Sequence, residues 1–248
     1  MLRARIGGLR AAIERRAKVR LHLDLVESPS AHAWTLSLYR AGEQYPEHVA
    51  DYFPHEVLAQ GHPELARRMR RHAGEERGHV VLYTRAIERM GEPIFEARGL
   101  DVFNESIRQQ TTASWAIRPG AGYQESRLCI AHFLAHAHRL EARVERSLGF
   151  HLEACERAGR DEAASVVARV LADEARHVRE TRETLEEITT AKEREAVIEA
   201  HARGEARANA SFSSRQLRSF SARYASHLSA RRRRFYAASA FVMELARA

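Results

Sequence analysis

Two short stretches, EERGH (75–79) and DEARHV (173–178), decide the fold that we expect for this sequence. In each stretch, a glutamate stands three positions before a histidine. Residues three apart share one face of an α-helix, so each stretch can present a carboxylate and an imidazole side by side. Apolar residues recur with a helical period around both stretches, and we therefore expect both pairs to lie on helices.

The helices that precede these stretches supply a matching pair of glutamates. Glu43 comes 33 positions before Glu76, and Glu141 comes 33 positions before Glu174. Turns expected near positions 61 and 159 would bring each pair to a similar depth in an antiparallel helical hairpin. The two halves of the chain therefore repeat one pattern. Its members are the predicted metal ligands: Glu43, Glu76, His79, Glu141, Glu174 and His177.

The order of the predicted helices indicates an all-α protein with four long helices in residues 31–190. Residues 92–122 are less regular and are long enough to cross from one end of a bundle to the other. This plan is a four-helix bundle with a long crossover between its second and third helices. We expect a basic helix in residues 1–30 and a helical, Arg-rich extension in 191–248, interrupted by the Ser-rich NASFSSR (209–215).

The composition argues against several classes of protein. The chain has 248 residues, of which 44% are hydrophobic, as in a globular protein rather than a disordered one. Its two cysteines, Cys129 and Cys155, have neither zinc-motif spacing nor a disulfide framework, which fits a reducing cytoplasm. We expect neither a secretory signal nor a membrane span, because the N-terminal stretch has no apolar core and no run is long enough to cross a membrane. We therefore expect a cytoplasmic protein.

The charge of the chain leaves two interpretations open. The formal net charge is +7, and much of the excess is arginine near the two ends, including RRRRF (231–235). Solvated arginines on helix surfaces are the simpler explanation. Nucleic acid or an anionic membrane, bound through the basic ends, is the alternative.

The doubled pattern resembles the ferritin-like di-iron carboxylate superfamily. Bundles of that superfamily use one glutamate from each of two helices and a Glu-x-x-His from each of the other two. The equal spacings are similar to those of bacterioferritin-type sites, and DEARH is similar to the second motif of bacterial multicomponent monooxygenases. The resemblance covers about residues 31–190 and leaves both ends unexplained.

This resemblance implies two bound iron ions, with manganese as the alternative, because carboxylates and imidazoles suit both metals. The two Glu-x-x-His glutamates would bridge the ions. The two upstream glutamates would be terminal ligands, and each histidine would bind one ion. Glu75 and Asp173, which directly precede the bridging glutamates, would hydrogen-bond the ligand imidazoles or else be solvated surface acids.

Several neighbouring residues compete for these roles. Glu47 and Glu145 repeat as well, each 29 positions before its bridging glutamate, and are the alternative terminal ligands. Pro46 would either kink the first bundle helix or end it. His138 lies three positions before Glu141 and is an alternative extra ligand, although a hydrogen-bonded core histidine is the more common case.

Four aromatic or imidazole side chains receive simpler expectations. His132 and His136 fall on other faces of their helix and are expected at the surface. Tyr39 and Tyr83 lie four positions from predicted ligands and could approach the site, but core packing is the expected role of each.

The function implied by the resemblance is that of a di-iron oxidoreductase, a monooxygenase or oxidase that activates O2. Its organic substrate could be a small molecule or tRNA-borne, an electron donor is expected, and the chain could form a homodimer. One alternative is a ferroxidase, iron-storage or peroxidase-type protein. Another is a basic helical bundle that binds RNA or a membrane and holds a metal only for structure.

Overall fold

The computed structural model describes residues 18–45, 55–111 and 113–245, and within these ranges the chain forms helices and no strand. The predicted all-α class is therefore confirmed. The helices are α1 (18–27), α2 (Pro29–Gln44), α3 (His55–Ala59), α4 (Pro63–Arg89), α5 (Phe103–Gln110), α6 (Tyr123–Arg157), α7 (Asp161–Ile188), α8 (Ala191–Arg223) and α9 (Ala230–Leu245).

The helix limits follow from residues that start and stop helices. Ser28 caps α2, because its side chain accepts a hydrogen bond from the backbone N–H of Ala31 at 3.1 Å. Gly91, with φ +70°, follows the end of α4, and Gly159, with φ +62°, forms the turn between α6 and α7. The turns expected near positions 61 and 159 agree with the structure, in which α4 begins at Pro63 and α7 begins at Asp161.

The structure answers only part of the proline question. Helix α2 is regular up to Gln44 and is followed by Tyr45 as its C-cap, so Glu43 lies on an intact part of the helix. Whether Pro46 ends or kinks the helix stays a prediction. Residues 46–54, which include Glu47, lie outside the described residues, as do positions 1–17 of the expected N-terminal helix.

The four long helices that carry the predicted ligands pack together. Helix α2 packs against α4, α6 packs along α7, and α4 contacts α7. One apolar cluster contains Met69 of α4 and Leu185 of α7, and another contains Tyr83 of α4 and Val170 of α7. Along both helices the Glu-x-x-His pair lies between these clusters, so the predicted ligands form a polar layer between two apolar layers.

The expected interruption at NASFSSR is wrong. Helix α8 runs through this stretch without a break, and the chain turns only at residues 224–229. The serines tolerate the helix because their hydroxyls find partners. Ser214 Oγ donates to Glu244 of α9 at 2.8 Å, and Ser211 Oγ accepts from Arg215 at 2.7 Å. Side-chain partners of this kind offset the tendency of serine to compete with the helical backbone.

The C-terminal helix packs on the rest of the chain. Tyr236 of α9 is buried and donates its hydroxyl to Asp24 of α1, and Arg232 contacts the same carboxylate at 2.6 Å. Arg231, Arg233 and Arg234 are exposed. Among the helices that the structure describes, none has both the length and the apolar character that a membrane crossing requires.

Candidate metal centre

All the predicted ligands converge on one buried cluster. One ligand set consists of Glu43, Glu76, His79 and Glu174, whose ligand atoms lie within 4.8 Å of one another. A second set of the same tightness consists of Glu141, Glu174 and His177. Glu174 belongs to both sets, so its carboxylate lies between two places where an ion could be held.

The two histidines present the same ring atom to the carboxylates. His79 Nδ1 lies 3.2 Å from Glu43 Oε2 and 3.4 Å from Glu174 Oε1. His177 Nδ1 lies 3.4 Å from Glu174 Oε2 and 3.6 Å from Glu76 Oε1. Each imidazole therefore directs Nδ1 into the cluster and keeps Nε2 for a partner on its other side.

Those outer partners are Glu75 and Asp173, which directly precede the predicted bridging glutamates. Each acid contacts the histidine of the other helix, not the histidine of its own helix. His79 Nε2 of α4 lies 3.2 Å from Asp173 Oδ2 of α7, whereas His177 Nε2 of α7 lies 2.9 Å from Glu75 Oε2 of α4. A carboxylate that accepts the Nε2–H fixes the tautomer in which Nδ1 is free to bind a metal. Glu75 and Asp173 are therefore partners of the predicted ligand imidazoles and not merely solvated acids.

One arginine joins the two orienting acids. Arg176 Nη2 lies 2.8 Å from both Glu75 Oε2 and Asp173 Oδ1. Burial alone would raise the pKa of both acids, but their bonds with Arg176 and the histidines outweigh burial and lower it. Both acids are thus ionised near neutral pH and can accept the imidazole N–H bonds through their charged oxygens.

Three of the four inner carboxylates are in the opposite situation. Burial raises the pKa of Glu43 and of Glu76 to about 8. The charge of Glu141 adds to both shifts, whereas a hydrogen bond with Glu76 opposes the shift of Glu43. Burial, and then the charge of Glu141, raises the pKa of Glu174 well above its ordinary value. Several buried carboxylates this close repel one another unless protons or cations neutralise them.

The donor set fits two divalent cations. Both carboxylate oxygens of Glu174 and the Nδ1 of His177 are buried and make no hydrogen bond of acceptable geometry within the described structure. Buried polar atoms of this kind are uncommon and call for an explanation such as a bound ion. Four carboxylates and two imidazoles would balance the charge of two divalent ions, and oxygen with nitrogen donors suits iron or manganese.

Sequence reasoning missed a seventh member of the cluster, His72. Its Nε2 lies 3.2 Å from Glu76 Oε1 and 3.6 Å from Glu141 Oε1, and its ring stacks on His177 with centroids 3.6 Å apart. Burial lowers the pKa of His72, but the two carboxylates outweigh burial and raise it to about 10. His72 precedes Glu76 by four positions, so the i, i+4 rule could have found it.

His72 also makes the two halves unequal. The equivalent position of α7, four before Glu174, holds the apolar Val170. Burial raises the pKa of Glu141, but the neighbouring His72 outweighs burial and lowers it to about 2. Glu141 and His72 therefore form an ion pair without metal, whereas Glu43 and Glu76 favour the protonated form.

Two of the competing residues do not enter the cluster. Glu145 is half-buried and belongs to none of the ligand sets found among the described residues. His138 donates its Nδ1–H to the carbonyl of Val178 at 3.1 Å, which makes it a hydrogen-bonded histidine and not a member of these sets. Glu47 remains outside the described residues.

The surface expectation for His136 is wrong. His136 is fully buried, its Nε2 lies 3.0 Å from Asn104 Oδ1, and its ring stacks on Trp115 with centroids 4.6 Å apart. His132 is half-buried and contacts His201 at 3.2 Å. Helices α5 and α8 cover this face of α6, which the sequence pattern of α6 alone did not reveal.

Comparisons with models of protein families, with curated proteins and with solved structures found no match for this chain.

Proposed function

We propose that this chain is a ferritin-like di-iron carboxylate oxidoreductase, which activates O2 to oxidise or hydroxylate an organic substrate. The observation that carries the proposal is the pair of ligand sets that share Glu174. A single carboxylate between two donor sets suits a bridging role, and the ferritin-like arrangement of ligands provides such bridges. When bound, two ferrous ions would supply electrons and open coordination positions for O2.

The chain's own residues would prepare the site for this chemistry. Asp173 and Glu75 hold the two imidazoles with Nδ1 directed inward, so the ligands need little rearrangement before binding. Glu43 and Glu141 would serve as terminal ligands, one for each ion. The apolar layers on both sides of the carboxylates keep bulk water from the cluster.

The proposal is tested by iron loading of the chelator-treated full-length chain under anaerobic conditions. We expect about two iron ions per chain and consumption of O2 when air is admitted. Glu76→Ala and Glu174→Ala should each lose most of the bound iron. Glu145→Ala, a half-buried glutamate on α6 outside the ligand sets, is the matched control and should retain it.

The outcome also distinguishes the alternative reactions within metal chemistry. No bound iron in the wild type, or unchanged binding in Glu76→Ala and Glu174→Ala, would remove the assignment of the site. Rapid Fe(II) oxidation with growth of mineral in a large assembly would favour storage instead. Faster turnover with hydrogen peroxide than with O2 would favour a peroxidase-type protein.

A second candidate function, binding to an anionic surface such as RNA or an anionic membrane, is favoured by the outer face of α9. Phe235, Phe241 and Val242 are exposed there by 49%, 57% and 61%, and the exposed Arg231, Arg233 and Arg234 lie on the same helix. Binding to RNA or to anionic vesicles that weakens steeply with salt would support this role. Absence of binding to both RNA and anionic vesicles at low salt would exclude this second function.

A further inference from the structure

A second cluster of ligand-type side chains lies apart from the carboxylates, near the start of α2 and the end of α6. His32 of α2 and His151 and Cys155 of α6 place two ring nitrogens and the sulfur within 4.8 Å of one another. All three side chains are 0–1% exposed. His151 and Cys155 are four positions apart and therefore share one face of α6, which His32 meets from α2.

The distances suit three ligands around one ion. His32 Nε2 lies 3.0 Å from His151 Nε2 and 3.8 Å from Cys155 Sγ. Zinc bonds of about 2.0–2.1 Å to nitrogen and about 2.3 Å to sulfur give tetrahedral edges of about 3.3 Å and about 3.6 Å. The observed separations lie within a few tenths of an ångström of these edges.

The other nitrogen of His151 is held in place from the opposite side. His151 Nδ1 lies 3.2 Å from His22 Nδ1 and 3.4 Å from the hydroxyl of Tyr39. Either partner can accept the Nδ1–H, which leaves Nε2 with its lone pair toward His32 and Cys155. An imidazole ligand that donates its second N–H in this way is a common feature of protein metal sites.

The surroundings keep the imidazoles neutral. Burial lowers the pKa of His32 to about 4 and of His22 to about 3, and it holds that of His151 well below its ordinary value. Neutral imidazole is the form that binds metal. Burial raises the pKa of the Cys155 thiol to about 12, so the thiol keeps its proton until a cation displaces it.

The chemistry of this cluster differs from that of the carboxylate site. Its ligand set contains one thiol and two imidazoles and no carboxylate, and the neighbouring core residues are apolar, Val26 and Ala154 among them. Soft sulfur and borderline nitrogen ligands select zinc or copper, whereas the carboxylate cluster suits iron or manganese. The two clusters would therefore select different metals.

We propose that His32, His151 and Cys155 form a second metal site, which binds one thiophilic transition ion of the zinc class through a thiolate and two imidazoles. Binding releases the Cys155 thiol proton to solvent, so each ion exchanges for one proton. Three protein ligands leave the fourth tetrahedral position for water or another small ligand. The inference does not depend on the proposed oxidoreductase function.

The site would tie two helices together beside the carboxylate centre. The ion would join α2 to α6 where their contact also includes Tyr39. Tyr39 in turn contacts Tyr83, with ring centroids 5.8 Å apart, and Tyr83 is buried near the carboxylates. The second site would therefore support the packing that lies between the two centres.

Cobalt provides a test, because a thiolate–cobalt bond absorbs in the near ultraviolet and carboxylate-bound cobalt does not. The full-length chain is produced in cobalt-supplemented medium, so that the ion is present while the buried site folds. We expect the thiolate–cobalt absorption in the wild type and its loss in Cys155→Ser and His32→Ala. Added zinc during production should abolish the absorption by competition.

The second cysteine supplies the matched control. Cys129 also lies on α6, but it is only half-buried and outside the ligand set, so Cys129→Ser should keep the full absorption. Glu76→Ala should also keep it, which separates this site from the carboxylate centre. Loss of the absorption in Cys129→Ser but not in Cys155→Ser would overturn the assignment.

A measurement on the wild type alone guards against variants that do not fold. X-ray absorption of the zinc-loaded chain should show a sulfur neighbour at about 2.3 Å together with nitrogen neighbours at about 2.0 Å. Absence of any sulfur neighbour, together with absence of the cobalt absorption, would mean that the three side chains form only a hydrogen-bonded core network.

Discussion

The metal-free protein should lose stability as the pH rises from 6.5 to 8. Burial raises the pKa of Glu43 and of Glu76 to about 8 in the folded chain, whereas both titrate near 4.5 when unfolded. Burial lowers the pKa of His72, but its contacts with Glu141 and Glu76 outweigh burial and raise the pKa from 6.5 to about 10. In this pH range the folded chain keeps protons that the unfolded chain has released, so a rising pH favours unfolding.

The size of the loss follows from the number of these groups. Each proton held only by the folded chain contributes about 1.4 kcal/mol per pH unit. Between pH 6.5 and 8 each group therefore contributes somewhat less than about 2 kcal/mol, because Glu43 and Glu76 have lost half of their protons at pH 8, and the three groups together contribute about 5 kcal/mol. Domains of ordinary stability unfold with only about 5–15 kcal/mol, so the effect should be large.

Starting at pH 6.5 limits an opposing effect. Burial lowers the pKa of several histidines, among them His22 and His136, each to about 3. The unfolded chain binds protons that these buried imidazoles do not bind, so they make stability rise with pH, steeply below pH 6.5 and by about 0.4 kcal/mol each between pH 6.5 and 8. This rise reduces the net loss below the sum for the carboxylate cluster without reversing its sign.

The assay is urea unfolding of the chelator-treated chain at pH 6.5 and pH 8, followed by circular dichroism. Added Mn²⁺ should remove most of the loss, because two divalent ions replace the protons as neutralising charge. Glu76→Gln should show a smaller loss than the wild type, whereas the control Glu145→Gln should show the same loss. A metal-free wild type that is equally stable at both pH values, or more stable at pH 8, would refute the reasoning.

Three further predictions concern single residues. Asp173→Asn should weaken Mn²⁺ affinity about 10–100-fold, measured by competition with a chelator, because the His79 imidazole loses its ionised acceptor. The control Asp161→Asn, at an exposed position of the same helix, should change the affinity little, and equal Mn²⁺ affinities of the two variants would contradict the orienting role of Asp173. His72→Gln should destabilise the metal-free chain more than the metal-loaded chain in thermal unfolding, because bound ions take over the charge compensation; equal losses in both states would contradict this. Gly204→Ala should destabilise the chain by about 1–3 kcal/mol in urea unfolding, because its Cβ would lie 2.6 Å from Thr111 Oγ1 and 3.0 Å from the Gln110 carbonyl. Gly149→Ala, whose Cβ would meet nothing within 4 Å, should be neutral or slightly stabilising, and a larger loss there than at Gly204 would disprove the packing argument.

The helical class, and the meeting of the predicted ligands in one buried cluster, could be predicted from the sequence for one physical reason. A metal site built from regular helices imposes regular spacing, so Glu43 and Glu141 were recognisable from their equal distances to Glu76 and Glu174. The turn between α6 and α7 was also predictable near position 159, where Gly159 adopts a positive φ.

The remaining features depend on contacts between distant segments. His136 was expected at the surface because nothing in the sequence of α6 shows that α5 and α8 cover it. The Ser-rich stretch was expected to break α8, yet Ser214 is satisfied by Glu244, thirty positions later. His32 and Cys155 are more than a hundred positions apart, and no local pattern connects them.

The exchanged partners of His79 and His177 would make the proposed metal centre an all-or-none assembly. The acid that orients each imidazole belongs to the opposite helical pair, so α2 with α4 alone would carry a histidine free to rotate away from its carboxylates. Arg176 contacts both Glu75 and Asp173, and its contact with Glu75 forms only when α7 packs against α4. Metal binding would then indicate that the two helical pairs have packed together. A chain in which they have not yet packed would have no complete site for iron.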